Sequence, residues 1–199
     1  QVSSSIPAAL INWKEKEKHD NEIIYEDIGF DENEEYEIGP VVQAILDKIS
    51  DLGDLKELCE NDSKYNKLRD MLNQHLNKYD DEKIVLFSYF RSTLKYLQRR
   101  LAEDGFSTII LMGGGNIDKG EVLKTFRDPN GPNVLLSSEV GSEGIDLQFA
   151  RIVVNYDLPW NPMRIEQRIG RVDRLGQKSP KITIWNLFAK DTIDDRIYE

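Results

Sequence analysis

Cysteine, histidine and long apolar runs are all scarce in this sequence, and each scarcity excludes something. One cysteine among 199 residues, Cys59, rules out an internal disulfide. With His19 and His75 as the two histidines, there is no ligand set for a structural zinc. No apolar run approaches the roughly 20 residues that a membrane-spanning helix needs. No basic-then-apolar leader with a small-residue cleavage site is visible either, so a reducing, cytoplasmic setting is the expectation. Hydrophobic residues at 39% and charged residues at 31% mark a folded, soluble chain, long enough for one core plus an appendage.

Basic excess is also missing. The formal net charge is -10, which at first argues against a nucleic-acid binder. Its distribution reverses that inference. Residues 1–80 hold 19 acidic and 9 basic side chains, whereas residues 81–199 hold 17 of each. Eight acidic groups fall between Glu22 and Glu37 with no lysine or arginine among them. Such a run is ordinarily a solvated, flexible segment, here placed at 20–37. The rest of the chain is charge-balanced and free to present a local basic face.

Two textures divide the sequence. Residues 1–80 read as helical. Val42, Ile45, Leu46, Ile49, Leu52 and Leu55 recur near helical spacing over 41–60, with Gly53 as a break. Tyr65, Leu68, Leu72 and Leu76 do the same over 63–79, with Asp62 or Ser63 as cap. Cys59 and His75 lie on or beside these helices, in packing or solvent roles. From Asp81 onward, short continuous apolar runs appear at 84–87, 107–112, 134–136, 151–156 and 181–188. Helical patterns at 91–103, 117–127 and 162–175 alternate with them. Continuous apolarity suits strands buried on both faces, and the alternation suits a parallel sheet with right-handed crossovers. The spacing therefore predicts an α/β domain over 81–190.

Phosphate loops of the usual kinds are absent. In Gly113–Gly120, Asp118 precedes Lys119 and Gly120 follows it, which breaks the P-loop pattern. Asp118 also stands where the last glycine of a dinucleotide fingerprint belongs. The segment reads as a strand-to-helix turn, and the chain is not expected to cradle a triphosphate by itself. The second glycine cluster, Ser137 to Leu147, directly follows an apolar run. In an open parallel sheet such a loop lines the ligand crevice. Gly141 and Gly144 allow close backbone approach, and Asp146 can accept hydrogen bonds from ribose hydroxyls. An ordinary tight loop with Asp146 as a turn residue fits the same letters.

The segment after Pro159-Trp160-Asn161-Pro162 carries more. Asn161 is a good N-cap, and Pro162 suits the first helical position. Ile165, Ile169 and Val172 then share one helical face and are expected to pack on the sheet. Gln167, Arg171 and Arg174 repeat the spacing on the opposite face. Arginine's planar fork suits phosphate, although exposed charges also serve solubility. Gly170 in mid-helix costs about 1 kcal/mol relative to alanine and suggests close approach by something.

VLLSSEVGSEGIDLQFARIVVNYDLPWNPMRIEQRIGRVDRLGQ (134–177) resembles motifs V and VI of superfamily-two helicase-like ATPases. It is most similar to the Swi/Snf-type branch and, within it, to the bacterial RapA-like group. IVLFSYF (84–90) resembles motif IV, DTIDDRIYE (191–199) the start of the helical brace after the second lobe, and SSSIPAAL (3–10) a helical segment between the two motor lobes. The resemblance implies a RecA-like second lobe at 81–190, an inter-lobe region at 1–80, and a brace beginning at 191–199. It makes Arg171 and Arg174 arginine fingers, and Gly144, Asp146 and Gln167 nucleotide contacts. Ser138 and Ser88 become contacts to a nucleic-acid backbone. Asp173 and Arg168 depart from the usual Swi/Snf pattern, which has histidine and a small residue there. ATP and Mg²⁺ would be held mainly by an N-terminal RecA-like lobe carrying the P-loop. Isolated, the chain would then be inactive. DNA or RNA would be the track, and a protein partner such as RNA polymerase stays open. A non-catalytic nucleic-acid or protein-binding module on the same fold is the alternative.

Overall fold

In the computed structural model, the described residues are 5–16, 55–113, 118–159, 161–177 and 179–188. The acidic run at 20–37, the helical pattern at 41–54 and the segment 191–199 lie outside them.

Five short strands form one parallel sheet. They are β1 (Ile84–Phe87), β2 (Thr108–Leu111), β3 (Val134–Ser137), β4 (Ile152–Asn155) and β5 (Thr183–Asn186), in the spatial order β2-β3-β1-β4-β5. β1 is central, and its Ile84 lies level with Val134 of β3 and Ile152 of β4. Strands β1, β3 and β4 are buried along their whole length. That is why their sequences run apolar without alternating. The expected strands at 107–112, 151–156 and 181–188 are each trimmed at the ends, and β5 is the exposed edge strand.

Helices cover both faces. One face carries α1 (Ile6–Lys16), α3 (Ser63–Leu76) and α4 (Arg91–Glu103), and α2 (Leu55–Glu60) leads into α3. Ala8, Tyr65, Leu68, Leu72, Leu94, Leu97 and Leu101 pack there against Ile84, Leu86, Val134, Leu136, Ile152 and Val154. The opposite face carries α5 (Lys119–Arg127) and α7 (Pro162–Val172), whose Phe126 and Val172 meet Val85, Phe87, Leu135 and Val153. Alternate residues of each strand thus feed two separate cores, as strand geometry requires. The helices α1 and α3, from the first 80 residues, share the core of the sheet rather than standing apart from it.

Side-chain caps fix two helix starts on this framework, the first of them at a residue that the sequence suggests. Asp62 accepts from the Tyr65 amide at 3.0 Å at the start of α3. The same carboxylate accepts from Ser5 Oγ at 3.1 Å and the Tyr96 hydroxyl at 3.0 Å, tying α1, α3 and α4 together. Asp118 caps α5 through the amides of Gly120 and Glu121, at 2.8 and 3.2 Å. Among the described residues no helix is long and apolar enough to cross a membrane.

Candidate functional site

Parallel strands put every carboxyl end on the same edge, and ligand crevices of open α/β sheets form there. The residues that follow β1, β2 and β3 meet α7 at this edge around a cavity of about 700 Å³. Tyr89 enters from the β1 loop, Gly113 from the β2 loop, and Ser138, Glu139, Val140, Ser142 and Glu143 from the β3 loop. Asn161, Arg164, Gln167, Arg168 and Arg171 come from α7 and its cap. Four arginines (91, 164, 168 and 171) face two glutamates (139 and 143), so the cavity is suited to an anion.

Ser138 organises the β3 side. It caps a four-residue helix, α6 (Glu139–Ser142), by accepting from the Gly141 amide at 3.0 Å. Its Oγ also accepts from the Gly113 amide at 3.2 Å, joining the β2 and β3 loops. A Cβ on Gly141 would stand 2.3 Å from the Leu111 carbonyl oxygen. The glycine therefore serves packing of α6 on β2 rather than the approach of a ligand. Gly144 is different: its φ of +74° puts it in the left-handed region, and among the described residues a Cβ there would meet nothing within 4 Å.

Asp146 accepts from the Gln148 amide at 3.0 Å, the turn role that the sequence also allowed. The adjacent Leu147 amide donates to the Arg171 carbonyl at 3.0 Å, which stitches this turn to the last turn of α7. Neither Gly144 nor Asp146 lines the cavity.

Helix α7 starts as expected, with Asn161 accepting from the Met163 amide at 3.0 Å and Pro162 in its first turn. It ends earlier than 175. Asp173 is the C-cap, and Arg174 lies beyond the helix, exposed, donating from Nε to the Gly170 carbonyl at 3.1 Å. Gln167 and Arg171 line the cavity with Ser138, and Arg174 does not. Among the described residues the Arg171 guanidinium has no hydrogen-bonded or ion-paired partner.

The buried side of α7 differs from the expected one. Val172 is fully buried as predicted, but Ile165 and Ile169 are only half-buried, and Arg168 takes the central position at 3% exposure. Its guanidinium donates to Asn155 Oδ1 at 3.0 Å, the Asp157 carbonyl at 2.8 Å and Glu139 Oε1 at 2.8 Å. It also lies over the Phe87 ring, 5.5 Å from the centroid. Burial pulls its pKa below the usual arginine range, and Glu139 opposes that shift. Sequence reasoning missed this residue as a buried anchor. The signal was present: Arg168 falls three after Ile165 and four before Val172, inside the apolar stripe.

Ser88 is fully buried. Its hydroxyl donates to Asp157 Oδ2, which also accepts from the Tyr89 amide at 3.2 Å. Lys64 of α3 sits 3.6 Å from the other oxygen of Asp157. Ser88 thus fixes the loop that carries Tyr89 rather than offering its own hydroxyl to the cavity.

A family model described as the helicase conserved C-terminal domain matches residues 63–176. YqhH of Bacillus subtilis, described as an uncharacterized ATP-dependent helicase, is 44% identical over 123 residues, which cover 61% of this chain and 22% of that protein. The RNA polymerase-associated protein RapA of Vibrio cholerae is 42% identical over 100 residues, 49% of this chain and 10% of RapA. The matched stretch therefore spans about a fifth of YqhH and a tenth of RapA. Among solved structures, the C-terminal part of the Fun30 ATPase domain matches with a TM-score of 0.65 at 23% identity, covering 99% of this chain and 63% of that one. The helicase domain of Pyrococcus furiosus Hef matches with a TM-score of 0.56 at 26% identity, covering 80% and 31%. The fold is the RecA-like one of helicase C-terminal lobes.

Proposed function

Because the chain belongs to the helicase conserved C-terminal domain family, we propose that it is the second motor lobe of an ATP-dependent nucleic-acid translocase or helicase. The observation that carries this reading is the shared placement of Gln167, Arg171 and Ser138 on one anion-suited cavity at the carboxyl edge of the sheet. A guanidinium with no partner among the described residues, held on a capped, well-anchored helix, is a ready partner for phosphate.

In this reading ATP and Mg²⁺ are held mainly by an N-terminal RecA-like lobe, and this chain supplies groups that act when the lobes close. Arg171 and Arg174 stabilise the negative charge that builds on the transferred phosphoryl group. For this, Arg174 exchanges its contact with the Gly170 carbonyl for the phosphate. Gly144, Asp146 and Gln167 orient the nucleotide, with Asp146 toward the ribose. Ser138 contacts the nucleic-acid backbone, and Ser88 supports the same surface from beneath. Backbone contacts position a strand without reading its sequence, so the track is bound with little sequence preference. Tyr89, Val140, Met163 and Leu175 are large apolar side chains left exposed around these groups, as fits a surface that another lobe covers.

The stitch between Leu147 and Arg171 supports coupling. A shift of the β3 loop on the strand moves the turn at Asp146 and the end of α7 together. Opening and closing then become steps along the track.

The pure 199-residue chain is expected to show no ATP turnover above buffer, even with saturating DNA or RNA. Turnover by the chain alone would overturn the division of labour proposed here.

A further inference from the structure

Glu139 bridges two arginines that have different jobs. Its Oε1 accepts from Arg168 at 2.8 Å, and its Oε2 accepts from Arg164, one turn earlier on α7. Arg168 is buried and has two further acceptors, Asn155 and the Asp157 carbonyl. Removing it would leave polar groups stranded. The Arg164 side chain is 46% exposed, lines the cavity, and has Glu139 as its one charged partner among the described residues. Its other neighbour is the Tyr89 ring, 6.0 Å from the guanidinium carbon. Arg168 is built into the interior by three acceptors, whereas Arg164 is held from the surface by one carboxylate.

We propose that Arg164 is a docking point for a backbone phosphodiester of the bound strand, and that Glu139 is the internal counter-ion which that phosphate displaces. The inference rests on the motor-lobe reading and adds a contact and a competitor to it. Arginine's fork binds phosphate at least as well as carboxylate, and a half-exposed ion pair is worth little, so the exchange is inexpensive. Glu139 stays paired with Arg168 when Arg164 leaves, so no carboxylate is left without a partner. Tyr89 keeps the departing guanidinium over the cavity through its ring face.

The test uses the full 199-residue chain, a fluorescently labelled single-stranded DNA, the same sequence as duplex, and no nucleotide. Arg164→Gln should weaken binding roughly three- to tenfold and lower the slope of log affinity against log salt by about 0.7–0.9, one phosphate contact. Glu139→Gln keeps an acceptor for Arg168 but drops the competing charge, so binding should tighten by roughly threefold with a steeper salt slope. A merely structural Arg164–Glu139 pair predicts the opposite: Glu139→Gln would leave binding unchanged or weaker. Either that result, with an unchanged urea midpoint, or an Arg164→Gln slope equal to wild type would overturn the proposal. If Glu139→Gln does not fold, the Arg164→Gln slope decides it. A fluorescent ATP analogue separates the two sources of phosphate. Its affinity should be unaffected by Arg164→Gln, and a loss there instead of with DNA would assign Arg164 to the nucleotide. Failure of the wild-type chain to bind either DNA, or an RNA of the same sequence, would bring down the motor-lobe reading and this contact with it. Wild-type binding with an unresponsive Arg164→Gln would bring down the contact alone.

Discussion

The sheet-facing and cavity-facing sides of α7 both use arginine, and for opposite ends. On the sheet side Arg168 is buried at 3% exposure, with three acceptors and an aromatic ring around it. On the cavity side Arg171, three residues later, faces an open cavity with no partner among the described residues. A buried cation held by three acceptors is an anchor, because its surroundings were bought with desolvation and cannot be exchanged cheaply. An open cation on that anchor is a tool, since an arriving anion gains its charge without breaking a native contact. The contrast teaches that arginine content along a helix says little until each guanidinium's partners are counted.

The comparison can be broken first at the anchor. Arg168→Ala strands Glu139, Asn155 and the Asp157 carbonyl, and should cost about 3–5 kcal/mol in urea denaturation. A loss under 1 kcal/mol would show that Arg168 is as dispensable as a surface charge. Gly141→Ala comes next, because its Cβ would meet the Leu111 carbonyl, an atom of backbone that cannot swing away. A destabilisation of about 1–3 kcal/mol is expected by the same method. The smallest effect has the other sign. Among the described residues nothing outside the helix's own backbone lies within 4 Å of a Cβ on Gly170, so Gly170→Ala should stabilise the isolated chain by up to about 1 kcal/mol. In the complete protein the same methyl should lower ATP hydrolysis, where the partner lobe closes over α7. Unchanged hydrolysis would place that closure elsewhere.

Much of the fold is legible in the sequence, and the reason is burial. β1, β3 and β4 are covered on both faces, so unbroken apolar runs were the only pattern open to them. Helices α3, α4 and α7 carry a cap or a three-and-four apolar spacing that few other structures would require. Four-residue α6 escapes, since one turn has no period to detect. Arg168 escapes for a different reason. Its position lies inside the apolar stripe, but its charge argues for solvent, and only the three acceptors that meet it in space settle the matter. Ser88 is the converse, a hydroxyl that reads as available and is fully buried against Asp157. The early end of α7, which leaves Arg174 beyond the helix, depends on Gln177 folding back to the Ala150 and Val172 carbonyls at 3.0 and 3.1 Å. Contacts of that kind are set by the fold, not by local spacing.

The division between anchor and tool is tested most directly by Arg171→Ala in the complete protein. ATP hydrolysis should fall by about 10³–10⁵, as for loss of an arginine finger, while the unfolding midpoint and nucleic-acid affinity without nucleotide are largely kept. Hydrolysis close to the wild-type rate would contradict the account.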